Sequence, residues 1–242
     1  MLSLLICLAI GALFGFGLTL TTSLHPVVYV ISSSFVFMIL YFLMMRKVMY
    51  KLNVMVEGAQ KDLMANRPEK AVATLQLAKK KIGPWQFFVS KQMDAQIGVI
   101  YFLRRDFSKA FDFLKKGFVR HWMAMGMLGV IYHKRNQTPE MIKTFEKAVS
   151  VTRKEPLLWN LYAYCLEQAG DRDKAISVLV QAIKKAGSDE RLQTNLEALQ
   201  NGRKMKMQGY GDSWYQFHLE SQGTLVKQQT KAMQGRRKIV RK

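Results

Sequence analysis

No Asp, Glu, Lys or Arg occurs between Met1 and Met45, so every charge falls on the remaining chain. Acid is scarce there as well: 17 Asp and Glu stand against 37 Lys and Arg, a formal net charge of +20. Cysteine is nearly absent. Cys7 and Cys165 form no CxxC pair and no disulfide framework, which fits a reducing compartment. The four histidines, His25, His121, His133 and His218, share no metal-ligand spacing. GxSxG, GxxxxGK[ST] and GxGxxG are all missing, and the glycines from Gly11 to Gly17 lie inside an apolar run rather than a phosphate loop. The few carboxylates sit mostly in turns or on outer helix faces, with no pair set for proton transfer. No catalytic residue, cofactor or metal is therefore expected, and the chain reads as non-enzymatic. With 49% hydrophobic residues over 242 positions there is ample material for a core, which excludes wholesale disorder.

Two long apolar runs open the chain, residues 2–20 and 27–45, separated by the uncharged break from Thr21 to Pro26. Each can cross ~30 Å of hydrocarbon as a helix. Together they predict a transmembrane hairpin over 1–47. A cleaved signal peptide is the competing reading of the first run. It lacks a preceding basic residue and an A-x-A site, and a second apolar run follows at once. Arg46, Lys47 and Lys51 flank the exit of the second run, which puts both termini on the cytoplasmic side. Gly11 and Gly15 make a flat groove on the first run, and Ser32 to Ser34 supply small surfaces on the second. These either pack within the hairpin or dock onto another membrane subunit.

After residue 48 the pattern turns amphipathic and repeats. Gly98-x-x-Tyr101 is followed by a polar turn, Arg104-Arg105-Asp106, and then by Phe107-x-x-Ala110-x-x-x-Leu114-x-x-Gly117. Gly129-x-x-Tyr132 leads through Asn136 to Met141, Phe145 and Ala148. Trp159-x-x-Tyr162-Ala163 leads through Gly170-Asp171 to Ala175, Leu179 and Ala182. Upstream, Ala59 leads through Asn66-Arg67 to Ala71, Leu75 and Ala78, with Asp62 where the aromatic would stand. Each copy places a small residue on a first helix. Each then shows an Ala-x3-apolar step on a second, Met141 being the one exception. This resembles the tetratricopeptide repeat, a helical hairpin recurring about every 34 residues. The resemblance implies an all-α fold: a superhelix of about four helical pairs over 48–201. The predicted pairs are 54–64 with 68–81, 85–104 with 107–120, 122–135 with 138–153, and 156–169 with 172–186. Ser188-Asp189-Glu190 then caps a closing helix from about 191 to 201.

The last stretch, 202–242, is a glycine-bearing linker, an aromatic cluster (Trp214, Tyr215, Phe217) and a basic arm ending in Arg236, Arg237, Lys238, Arg241 and Lys242. In tetratricopeptide arrays the first helix of each pair lines the groove. By that resemblance the groove residues are Phe102, Leu103, Met123, Val130, His133, Lys134, Leu157, Asn160, Tyr164 and Gln168. The Lys/Asn/Arg set with which some family members grip a peptide carboxylate is not matched. The mixture suits an amphipathic helix or apolar segment laid across it. Its occupant is either a partner or the chain's own aromatic cluster, docked near Leu192 and Leu196. The basic charge admits three partners: anionic lipid, nucleic acid or an acidic protein. Lipid proximity combined with a protein partner, another membrane protein among the candidates, is preferred. The expected function is a membrane-anchored scaffold that helps assemble a complex, the alternative a membrane-associated nucleic-acid-binding protein. The layout of two spans followed by helical repeats is similar to that of HemY-type bacterial membrane proteins. The expected location is a bacterial inner membrane, and no function is carried over from that layout.

Overall fold

A computed structural model describes residues 2–21, 25–187 and 189–220. Among these every regular element is helical. The basic arm (Arg236, Arg237, Lys238, Arg241 and Lys242), Ser188 and residues 22–24 of the interspan break lie outside the described residues. The chain divides into two units, Met1–His121 and Trp122–Lys242.

The first unit begins with α1 (Leu2–Thr21) and α2 (Pro26–Met64), packed side by side. Both helices are long and apolar enough to cross a membrane. A side chain on Gly11 would stand 3.2 Å from Phe37 Cβ, and one on Gly15 would stand 3.2 Å from Ser33 Cβ. The Ser33 hydroxyl donates to the Gly11 carbonyl. Both glycines thus meet the second helix of their own hairpin. No glycine or proline occurs from Val27 to Glu57. Nothing therefore breaks α2, and the amphipathic helix expected from 54 is the far end of one 39-residue rod, ~58 Å long at 1.5 Å per residue.

Three further helices complete this unit: α3 (Pro68–Ile82), α4 (Val89–Leu103) and α5 (Phe107–Lys116). Leu52 and Ala59 of α2 are buried with Ala71, Leu75 and Ala78 of α3 and with Met93 and Ile97 of α4. The helix expected to start at Trp85 starts instead at Val89. Gly83–Trp85 forms a tight 3₁₀ turn, and the Ser3 hydroxyl donates to the Trp85 carbonyl at 2.6 Å. Pro84 has no N–H to offer a longer helix. A bidentate ion pair joins α3 to α4, with Lys79 Nζ 2.6 and 2.8 Å from the two oxygens of buried Asp94.

The second unit contains α6 (Trp122–Lys134), α7 (Thr138–Val151), α8 (Pro156–Gln168), α9 (Arg172–Ala186) and α10 (Glu190–Gln200). A 3₁₀ turn at Gln208–Tyr210 and a short helix, α11 (Asp212–Tyr215), follow. Trp159, Tyr162, Phe145 and Leu179 lie in its core, with Phe145 stacked on Tyr162 at 5.1 Å.

The pairing within each hairpin has one physical cause. A side chain on Gly98 would fall 2.7 Å from Leu114, and one on Gly129 would fall 2.5 Å from the Phe145 ring. The small residue of a first helix is therefore the seat for the large apolar residue of the second. Ala59 with Leu75 and Ala163 with Leu179 stand at the same sequence offset, and all four are buried. Ala71, Ala110, Met141 and Ala175 are fully buried, so methionine fills the one site where alanine is missing. Each hairpin turn holds one residue in the left-handed region: Asn66 (φ 56°), Arg105 (φ 64°), Asn136 (φ 57°) and Gly170 (φ 90°). Asp106 and Asp171 then cap the following helices, accepting from the Lys109 and Lys174 N–H groups.

Candidate functional site

Helices α6, α8 and α10 share a face, and the chain's own segment from Met205 to Glu220 lies on it. The contact starts at the polar end of α8, where the Met205 N–H donates to Glu167 at 3.4 Å. The Lys206 N–H donates to Asn195 Oδ1 at 2.8 Å, and Asn195 Nδ2 donates to Asn160 Oδ1 at 2.9 Å. Asn160 Nδ2 in turn donates to the Tyr210 hydroxyl at 2.6 Å. Both asparagines are fully buried, and this relay satisfies them. The Arg191 guanidinium sits 4.2 Å over the Tyr210 ring. Burial, together with the nearby Asp189 carboxylate, pushes the Tyr210 hydroxyl up to about 12.

The aromatic cluster follows. Over Asp212–Tyr215 the segment is helical, so Trp214 and Phe217 turn inward and Tyr215 stays half-buried. Trp214 meets Tyr164 edge-on at 4.8 Å and lies 6.4 Å from Phe217. Its indole N–H donates to Glu220 at 2.9 Å. Phe217 occupies a notch that Gly126 leaves open: a side chain there would stand 3.2 Å from the phenyl ring and 3.0 Å from Leu161. Lys134 Nζ closes the contact by donating to the His218 carbonyl at 2.8 Å. The cluster therefore docks on α8 and α6, not beside Leu192 and Leu196. The notch at Gly126 and the ring of Tyr164 draw it there.

Three of the residues expected to line the groove hold the tail: Lys134, Asn160 and Tyr164. Val130 and Leu157 are buried, Met123 and His133 are half-buried, and Gln168 is exposed. Phe102 is buried in the first unit, edge-on to Phe107 at 5.2 Å, and Leu103 is exposed there. Gly126, Glu167, Asn195 and Tyr210 also belong to the site and stand outside the expected groove set. The two asparagines inside helices carried a signal, because that residue type weakens a helix interior unless it is bonded. Among the described residues no group of His, Cys, Asp and Glu could hold a metal ion. Cys7 and Cys165 are buried free thiols, and burial pushes that of Cys165 well up.

Residues 124–157 and 157–184 match models of the tetratricopeptide repeat. These spans fall on α6 with α7 and on α8 with α9. No curated protein and no solved structure matches the chain, and the layout likeness to HemY-type proteins has no counterpart among the matches. The hairpins at Ala59 and Gly98 are built on the same small-to-large seat, and residues 124–184 carry two tetratricopeptide repeats.

Proposed function

We propose that this chain is a membrane-anchored scaffold that binds protein partners on the cytoplasmic side and helps assemble a membrane complex. The observation that carries this reading is α2, which runs unbroken from an apolar segment into the first repeat pair. A rod of that kind fixes a repeat array to a bilayer without a flexible joint. The apolar sleeve supports it: Leu13, Leu20 and Phe42 are 70%, 73% and 65% exposed, a surface that only lipid or a membrane partner would cover. The uncharged break and the cationic exit at Arg46, Lys47 and Lys51 support cytoplasmic termini in a bacterial inner membrane. Tetratricopeptide repeats present surfaces for other proteins. Here one such surface is held by Trp214 and Phe217, and a partner with similar anchors would compete with them.

The test is capture from detergent-solubilised membranes using the tagged full-length chain and its Phe217→Ala variant. A discrete protein set, enriched by the variant, is the expected result. Release of the chain from membranes by alkaline carbonate would overturn the anchor. Recovery of nucleic acid with a steep salt dependence, and of no protein, would establish the alternative.

A further inference from the structure

A cavity of about 520 Å³ opens in the first unit, between α2 and the turn after α3. That volume is within the ~300–1,000 Å³ common for small-ligand sites. Its apolar lining includes Met55, Ile82 and Trp85, and Lys47, Lys51 and Lys81 stand around it. All three lysines are exposed, and among the described residues none joins an ion pair. Lys47 and Lys51 are one helical turn apart, so both ammonium groups reach the same mouth.

The depth of this cavity follows from α2. From Pro26 to Lys47 the helix rises ~32 Å, about the thickness of the hydrocarbon layer. If Pro26 marks one boundary, Lys47 marks the other, and Lys51 and Lys81 stand among the headgroups. The bond from Ser3 to the Trp85 carbonyl ties the turn to the start of α1, so α1 begins at that same level. Beside it, Phe87 and Phe88 meet edge-on at 4.7 Å and are 56% and 52% exposed. Two adjacent phenyl rings and a tryptophan at one level make an aromatic anchor of the kind found at headgroup depth.

We propose that this cavity is a binding site for one anionic glycerophospholipid of the cytoplasmic leaflet. Its phosphate sits among Lys47, Lys51 and Lys81, and the first part of an acyl chain lies on Met55, Ile82 and Trp85. The charge is complementary and uncompensated, the lining is apolar, and the position is where headgroup and chain meet. The proposal rests on the membrane reading above and names the lipid contact within it.

The experiment uses the detergent-solubilised full-length chain, offered equal amounts of phosphatidylglycerol and phosphatidylcholine with matched acyl chains. Native mass spectrometry reads the retained lipid. The expected result is a preference for phosphatidylglycerol of at least about five-fold, the gain from a single lysine beside an anionic headgroup. It should vanish in a Lys47→Gln, Lys51→Gln, Lys81→Gln variant. It should persist in a Lys143→Gln, Lys147→Gln, Lys184→Gln control, whose lysines are exposed on the second unit. Equal retention of both lipids by the unaltered chain overturns the site, as does an unchanged preference in the first variant. Glycerol phosphate, offered as competitor, should fail to displace the lipid. Complete displacement would make this a free-phosphate site and overturn the lipid assignment. Carbonate extraction of the same membranes separates the two levels of failure. A released chain overturns the membrane reading together with the site, and a retained chain without lipid preference overturns the site alone.

Discussion

Phe217→Ala tests whether the segment from Met205 to Glu220 is held to the repeats by its aromatic anchors. The ring is fully buried over Gly126. In a rigid core such a truncation costs ~3–5 kcal/mol. The tail has an escape that a core residue lacks, because it can lift off while the repeats stay folded. The loss is then capped by the docking free energy itself, since a released tail no longer feels the substitution. Trp214→Ala should reach the same cap, and the double variant should be no worse than either single one. Tyr215→Ala, at a half-buried position, should cost much less. The Lys206 amide reports docking directly, because its N–H is bonded to buried Asn195. If 3 kcal/mol of docking is lost, its protection from hydrogen exchange falls roughly 150-fold. Tryptic cleavage after Lys206 should accelerate in parallel, with the amides of α8 unaffected. Should Phe217→Ala leave both the Lys206 amide and the cleavage pattern unchanged, the anchors do not hold the tail and the argument fails.

Three other outcomes are expected. Arg105→Gly should stabilise the first unit by about 1 kcal/mol, read from urea unfolding of the detergent-solubilised chain, because a non-glycine residue in the left-handed region costs ~1–2 kcal/mol. Lys79→Met should destabilise by ~3 kcal/mol or more by stranding the buried Asp94 carboxylate, and Asp94→Leu added to it should restore most of that loss in the same assay. The docked tail should also be alkali-sensitive. A free tyrosine ionises near ~10, whereas burial moves Tyr210 up to about 12. Its stabilising effect is therefore complete below the lower value and is lost as pH climbs through the upper one. A red shift of Trp214 emission over that window, absent in Tyr210→Phe, is the readout.

Much of this architecture follows from local sequence. Two uncharged runs can only be long apolar helices, and a small residue followed by a turn and an Ala-x3-apolar step can only seat one helix on the next. That is why the hairpins at Gly98, Gly129 and Ala163 are readable one by one, down to the polar turns that join their helices. Tertiary structure decided what local pattern does not encode. The change from an apolar to an amphipathic pattern at residue 48 reads as a boundary although no glycine or proline stands there to break the helix, and the packed structure shows one continuous α2. The tail's address was equally hidden. Trp214 and Phe217 announce a need for burial, but Gly126 and Tyr164, which meet that need, and Asn160 and Asn195, which bond the segment before them, come from three helices. They become a site only when those helices lie side by side. The cavity at Lys47, Lys51 and Lys81 has the same origin, since Lys81 and Trp85 reach its mouth only after α3 has folded back along α2.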